Sequence, residues 1–118
     1  MIIKIEAIIR EEKFDDVMHA LDELQVNGLT VYKVEGYGAQ RGSDNWTKGM
    51  KLEVKVKKKT KIEVIVSSEE WADITVAAIR KAAYTGDFGD GKIFTYEVKT
   101  AQKIRTGETG YAAIQNQE

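Results

Sequence analysis

The chain has 118 residues, 42% of them hydrophobic and 31% charged, with a formal net charge of -1. This fits one soluble globular domain over residues 1–118 and argues against a wholly basic nucleic-acid binder or an acidic disordered chain. Cysteine is absent, which excludes disulfides, thiolate metal sites and a cysteine nucleophile. No apolar run approaches the roughly 18 residues of a membrane helix, and the N-terminus alternates apolar with charged residues, so a cytoplasmic protein is expected.

Ile3, Ile5, Ala7 and Ile9 share one face of an extended segment while Lys4, Glu6 and Arg10 share the other, which predicts a first strand with one dry face. Phe14, Val17, Met18, Leu21 and Leu24 then recur at helical spacing and predict a core-facing helix closed by Gly28. Leu29 to Val34 is rich in β-branched and aromatic residues and reads as a second strand. After a polar, glycine-punctuated stretch, Leu52, Val54 and Val56 alternate with charged residues, and Lys61 to Val66 forms the next strand. Ser67 and Glu70 have the spacing of a capping box, and the stripe Trp71, Ile74, Ala78 and Ala82 predicts a second helix ending near Gly86. Ile93 to Val98 is the final strand, and a frayed tail is expected over residues 115–118.

Lys4-Ile5-Glu6-Ala7-Ile8-Ile9 is echoed by Lys61-Ile62-Glu63-Val64-Ile65-Val66, and each precedes a helix and another strand. Two β-α-β halves follow, and both helix stripes are buried most economically on one face of a four-stranded antiparallel sheet. The expectation is an α+β, ferredoxin-like double split β-α-β fold. Residues 36–58 become a long connection between the halves, and connections of that length are usually functional or disordered.

Catalysis finds little support. His19 is the only histidine and lies off the apolar stripe, and the acidic pairs Asp15-Asp16 and Glu69-Glu70 sit where they complement helix dipoles. No ordered metal-ligand spacing is present. Six lysines from Lys51 to Lys61 could form a basic rim for RNA, but the strand residues Ile5, Ala7, Ile62 and Val64 offer no stacking platform, which disfavours nucleic acid. Gly86-Asp87-Phe88-Gly89-Asp90-Gly91-Lys92 has P-loop spacing up to its lysine, yet Ile93 replaces Ser/Thr and the segment runs from helix to strand, so Walker chemistry is rejected. Glycines that let backbone N–H groups approach an anion remain, with Lys92 adding charge. Gly36-Tyr37-Gly38 and Lys103-Ile104-Arg105-Thr106-Gly107 could supply further donors.

Taken together, Gly28-Leu29-Thr30-Val31, Gly36 to Gly42, Lys61-Ile62-Glu63-Val64, Thr85 to Phe94 and Arg105-Thr106-Gly107-Glu108 closely resemble the PII signal-transduction family over nearly the whole chain. The resemblance implies a non-enzymatic homotrimer with adenine nucleotides, ATP, ADP and in some cases AMP, in clefts between subunits. By motif position, Thr30, Gly36, Gly38, Glu63, Val64, Gly89, Asp90, Gly91, Lys92, Lys103 and Arg105 would surround the nucleotide. Gln40 would assist Mg with ATP, and Gln40 with Lys59 would meet 2-oxoglutarate. The long connection would be the loop that docks onto a protein target such as a membrane transporter, an enzyme or a regulator.

Departures from the family pattern carry their own implications. Ala39 replaces an arginine that follows the glycine pair, and Lys103 replaces the first arginine of the Arg-Ile-Arg-Thr-Gly-Glu run. Losing one charged phosphate contact is worth roughly ten- to a hundredfold in affinity. Thr47-Lys48-Gly49-Met50-Lys51-Leu52 stands where the uridylylated tyrosine would be, so that modification is not expected. Two alternatives stand beside the main reading: a divergent ADP or AMP sensor without a 2-oxoglutarate response that controls a non-ammonium transporter, and a ferredoxin-like RNA-binding module on the lysine ribbon.

Overall fold

The computed structural model describes residues 1–26, 28–40 and 53–115. Its elements are β1 (Ile2–Arg10), α1 (Phe14–Glu23), β2 (Leu29–Gln40), β3 (Glu53–Val66), α2 (Glu69–Ala83) and β4 (Lys92–Val98), with short 3-10 turns at Glu11–Lys13 and Gly110–Ile114. The strands form one sheet in the order β2-β3-β1-β4, each neighbour antiparallel. This is the ferredoxin-like double β-α-β arrangement expected from the sequence echo, with β1 and β3 paired at its centre through Ile5↔Val64 and Ala7↔Ile62.

One sheet face is dry because Ile3, Ile5, Ala7 and Ile9 of β1 and Ile62, Val64 and Val66 of β3 recur with period two and point to the helices. Ile5, Ala7, Ile62 and Val64 are fully buried against Val17 and Leu21 of α1 and Ile79 of α2. The helices cover that face and pack on one another.

Both helix ends differ in detail from expectation. α1 is closed by Gln25, not Gly28: Gln25 adopts φ 60°, its N–H donates to the Asp22 carbonyl at 2.9 Å, and Val26 N–H donates to Leu21 at 3.0 Å. This is a Schellman closure in which a non-glycine residue accepts the left-handed position. The α2 cap is Ser68, whose hydroxyl accepts from Trp71 N–H at 3.1 Å, so the capping box built on Ser67 and Glu70 does not form. The shift moves the buried stripe by one position, to Ala72, Thr75, Ile79 and Ala83, and leaves Trp71 and Ile74 exposed. Thr75 is accommodated because its hydroxyl donates back to the Trp71 carbonyl at 2.7 Å.

The largest difference concerns residues 36–58. Gly36 to Gln40 continue β2 and pair with Lys57 to Glu53, so much of the expected connection is a two-stranded ribbon extending from the sheet. Glycine punctuation suggested a turn, but ladder hydrogen bonds are made by backbone, and an opposing run of valines and lysines supplies a willing partner strand. Arg41, Gly42 and the segment Thr47 to Leu52 lie outside the described residues, as does the tail beyond Gln115.

Candidate functional site

The turn between α2 and β4 is built around Asp90. Its carboxylate accepts from the backbone N–H of Thr85 and of Gly86, both at 2.9 Å, from the Thr85 hydroxyl, and from Arg10 Nε at 3.1 Å. These donors, the Thr85 hydroxyl foremost, hold the Asp90 carboxyl well below the usual carboxylate range. Arg10 Nη2 also donates to the Phe88 carbonyl at 2.8 Å, and Lys59 Nζ donates to the Gly89 carbonyl. Partial burial, then the charges of Arg10 and Lys57, lower the Lys59 pKa. Gly91 is required where it stands: at φ 100°, a Cβ there would lie 1.7 Å from the Ile8 carbonyl oxygen. The turn borders an open cavity of about 480 Å³ lined in part by Ile8, Ile79, Tyr84, Asp90 and Lys92.

A second basic turn lies at the other end of the sheet. The Gln102↔Thr109 bridge closes it, with Lys103 N–H to Glu108 carbonyl and Gly107 N–H to Lys103 carbonyl both at 2.9 Å. Lys103 Nζ pairs with Glu108 at 4.0 Å, while Ile104 and Arg105 stand exposed. This turn follows the end of β4, where Val98 pairs with Ile2 and Tyr111 meets the N-terminal amine, whereas Lys92 pairs with Ile8. Six strand residues separate those rows, about 20 Å. One chain therefore gathers Gly36, Lys59 and Gly89 to Lys92 at one end and sets Lys103 and Arg105 at the other.

Thr30 and Glu63 face each other in register on β2 and β3. Glu63 accepts from the Tyr32 hydroxyl at 3.1 Å and lies 3.9 Å from both Lys4 and Lys61, within a network that continues through Glu6 to Tyr96. Lys4 and Lys61 also sit over the rings of Tyr96 and Tyr32. The carboxylates raise both tyrosine pKa values, Glu63 through its hydrogen bond to Tyr32 and Glu6 through its bond to Tyr96. The open sheet face thus carries aromatics after all, because Ile5, Ala7, Ile62 and Val64 point into the core and Tyr32, Tyr96 and Phe94 occupy the other side. Glu6 and Glu63 interleave with those rings, a poor surface for phosphates. Val64 is fully buried on the core side, and its exposed neighbour is Ile65. Gly38 and Gln40 sit on the β2 ribbon opposite Lys55 and Glu53.

His19 is exposed and pairs with Glu23 at 3.0 Å, as a solvated helix residue. Among the described residues no three His, Cys, Asp or Glu side chains cluster as a metal site. No described helix is long and apolar enough to cross a membrane. One residue of the site escaped the sequence reading. Arg10 looked like an ordinary outward residue at the end of β1, and only the tertiary fold brings it 78 to 80 positions along the chain to Phe88 and Asp90. Phe88, quoted within the glycine segment, is fully exposed at the tip of the turn, as a turn residue should be.

Residues 2–108 match the family described as Nitrogen regulatory protein P-II. Proteins of that name from Rhizobium meliloti and Pasteurella multocida are 45% and 42% identical over 111 residues, each covering 94% of this chain and 98% of the relative. The structure of a B. subtilis GlnK-ATP complex superposes with a TM-score of 0.82 at 34% identity, covering 96% of this chain and 97% of that one. Arabidopsis thaliana PII bound to citrate gives a TM-score of 0.73 at 32% identity, covering 95% and 91%. Matched from residue 2 to residue 108, the chain belongs to the P-II nitrogen regulatory family, whose members are signalling regulators and not enzymes.

Proposed function

We propose that this chain is a cytoplasmic adenylate sensor that assembles as a homotrimer and regulates a protein partner, such as a membrane transporter, through the β2–β3 ribbon and residues 36–58. The observation that carries the reading is the division of its cationic groups. The glycine turn with Lys92 lies at one end of the sheet and the Lys103 to Arg105 turn at the other. A single nucleotide can meet both only where two copies bring opposite ends together. The glycine turn presents backbone donors to phosphate, Lys92, Lys103 and Arg105 supply charge, and Thr30, Gly36, Gly38 and Glu63 line the remainder of the cleft by family position, whereas the Val64 side chain belongs to the core. The ATP bound by the similar GlnK supports the ligand class.

The test is calorimetry with ADP and ATP on the intact protein, with light scattering. About one site per subunit in a trimer is expected, with Lys92→Ala and Arg105→Ala each weakening binding about tenfold or more. Mixing the two variants should restore some full-affinity sites, since one cleft in the hybrid trimer would draw both intact residues from different subunits. A stable monomer that binds nucleotide with full affinity would overturn the shared cleft.

The finer signal follows from Ala39 and Lys59. Lys59 is engaged with the Gly89 carbonyl, and position 39 holds no arginine. ADP or AMP is expected to compete well with ATP, and coupling between Mg-ATP and 2-oxoglutarate through Gln40 and Lys59 is expected to be weak. Titration of ATP and Mg with and without 2-oxoglutarate decides it, with Ala39→Arg as the comparison. Strong mutual enhancement in the unmodified protein would refute weak coupling. Thr47 in place of an acceptor tyrosine predicts that a uridylyltransferase leaves the intact mass unchanged.

A further inference from the structure

We infer that Arg10 is a positioning residue of the nucleotide site: with Lys59 it holds the carbonyls of Phe88 and Gly89 on one side of the glycine turn, so that the N–H groups of Gly89 and Asp90 are offered to a phosphate on the other. The inference deepens the adenylate reading and rests on it.

Arg10, the last residue of β1, and Lys59, midway along β3, are register partners beside the turn. The guanidinium divides its donors, with Nε on Asp90 at 3.1 Å and Nη2 on the Phe88 carbonyl at 2.8 Å, while Lys59 Nζ takes the next carbonyl, that of Gly89. Two like charges side by side on neighbouring strands repel, and here each is satisfied by a carbonyl of the same turn. A trans peptide unit is planar, with its C=O and N–H pointing in opposite directions. Fixing the Phe88 and Gly89 oxygens toward the cations therefore fixes the Gly89 and Asp90 amides away from them. Among the described residues the Gly89 amide has no hydrogen-bond acceptor, and the Asp90 amide, which closes the turn over residues 87–90, has none of good geometry. Successive outward N–H groups with a residue at φ 101° make a concave anion cradle.

Asp90 keeps its bonds from Thr85 and Gly86 when Arg10 is removed. The specific loss is then the orientation of the Phe88–Gly89 peptide, which could rotate and turn an oxygen toward the phosphate. Lysine at position 10 retains the charge but can serve one acceptor at a time, so it restores part of the effect.

The experiment compares intact wild type, Arg10→Met and Arg10→Lys by ADP calorimetry, melting temperature and amide proton–nitrogen spectra of the ligand-free proteins. Arg10→Met should weaken ADP binding about tenfold, and Arg10→Lys should fall between it and wild type. The Gly89 and Asp90 amide signals should shift or broaden in Arg10→Met while those of the sheet stay in place. ADP affinity within twofold of wild type, with unchanged Gly89 and Asp90 signals, would overturn the assignment. So would Arg10→Lys binding as weakly as Arg10→Met, since rescue by the retained cation is required. If Arg10→Met fails to fold, Arg10→Lys gives the affinity and spectral answer by itself. If wild type binds no adenylate, the functional reading falls, and the amide spectra still judge the clamp.

Discussion

Replacing Gly91 by alanine is expected to destabilise the fold far more than its single methyl suggests. The added Cβ would lie 1.7 Å from the Ile8 carbonyl oxygen and 2.8 Å from the Ile8 carbonyl carbon, both backbone atoms of the neighbouring strand β1. No rotamer relieves this contact, so either β4 lifts from β1 at the Ile8↔Lys92 pair or residue 91 leaves φ 100°. Losing one or two ladder hydrogen bonds costs about 0.5 to 1.5 kcal/mol each. Holding a non-glycine residue in that backbone region adds about 1 to 3 kcal/mol. The total, about 1.5 to 6 kcal/mol, is a large share of the roughly 5 to 15 kcal/mol that stabilises a domain. At about 4 °C per kcal/mol the melting temperature should fall by roughly 6 to 24 °C. Gly110→Ala is the comparison, because Gly110 also has a positive φ, 67°, yet a Cβ there meets nothing within 4 Å. Only the conformational cost of about 1 to 2 kcal/mol applies to it. Differential scanning calorimetry of both variants decides the matter. A Gly91→Ala protein that melts with wild type, or no lower than Gly110→Ala, would refute the close approach of the turn to β1.

Ser68→Ala should cost about 1 kcal/mol in urea denaturation by removing the cap on Trp71 N–H, whereas Ser67→Ala should stay within about 0.5 kcal/mol. Equal effects would return the cap to Ser67. Ile79→Ala should cost about 2 to 5 kcal/mol because Ile79 is fully buried, and Ile74→Ala, on the exposed side of α2, should cost much less; the reverse order would restore the expected stripe. The Asp90 carboxyl is depressed in the folded chain, chiefly by the Thr85 hydroxyl, so the unfolded chain binds its proton first. Its stabilising contribution is therefore present above the unfolded pKa of about 4 and is lost as pH falls through the lower folded value. Asp90→Asn should remove that part of the acid dependence below about pH 4, as read by denaturation at a series of pH values. An unchanged acid slope would show that the carboxylate is not held as described.

The chain's local chemistry determined a good deal unaided. Period-two alternation in Ile3 to Ile9 and Lys61 to Val66, and the Phe14 to Leu24 stripe, specified which faces are dry, because burial of apolar surface leaves the same periodicity wherever the partner lies. The doubled β-α-β order then left few ways to cover both helices. The glycine spacing from Gly86 to Gly91 marked the turn, since positive φ is a property of single residues. What the tertiary structure alone decided are matters of competition and meeting. Either Ser67 or Ser68 can cap a helix, and packing of Ile79 against the sheet selects the register that makes it Ser68. Glycines at 36 and 38 permit a turn or a strand, and the opposing run from Glu53 to Lys57 makes them strand. Arg10 carries no local sign of its role, because its partners Phe88 and Asp90 arrive from the far end of the chain, and only the β1–β4 pairing brings a guanidinium to the carbonyl and carboxylate that need it.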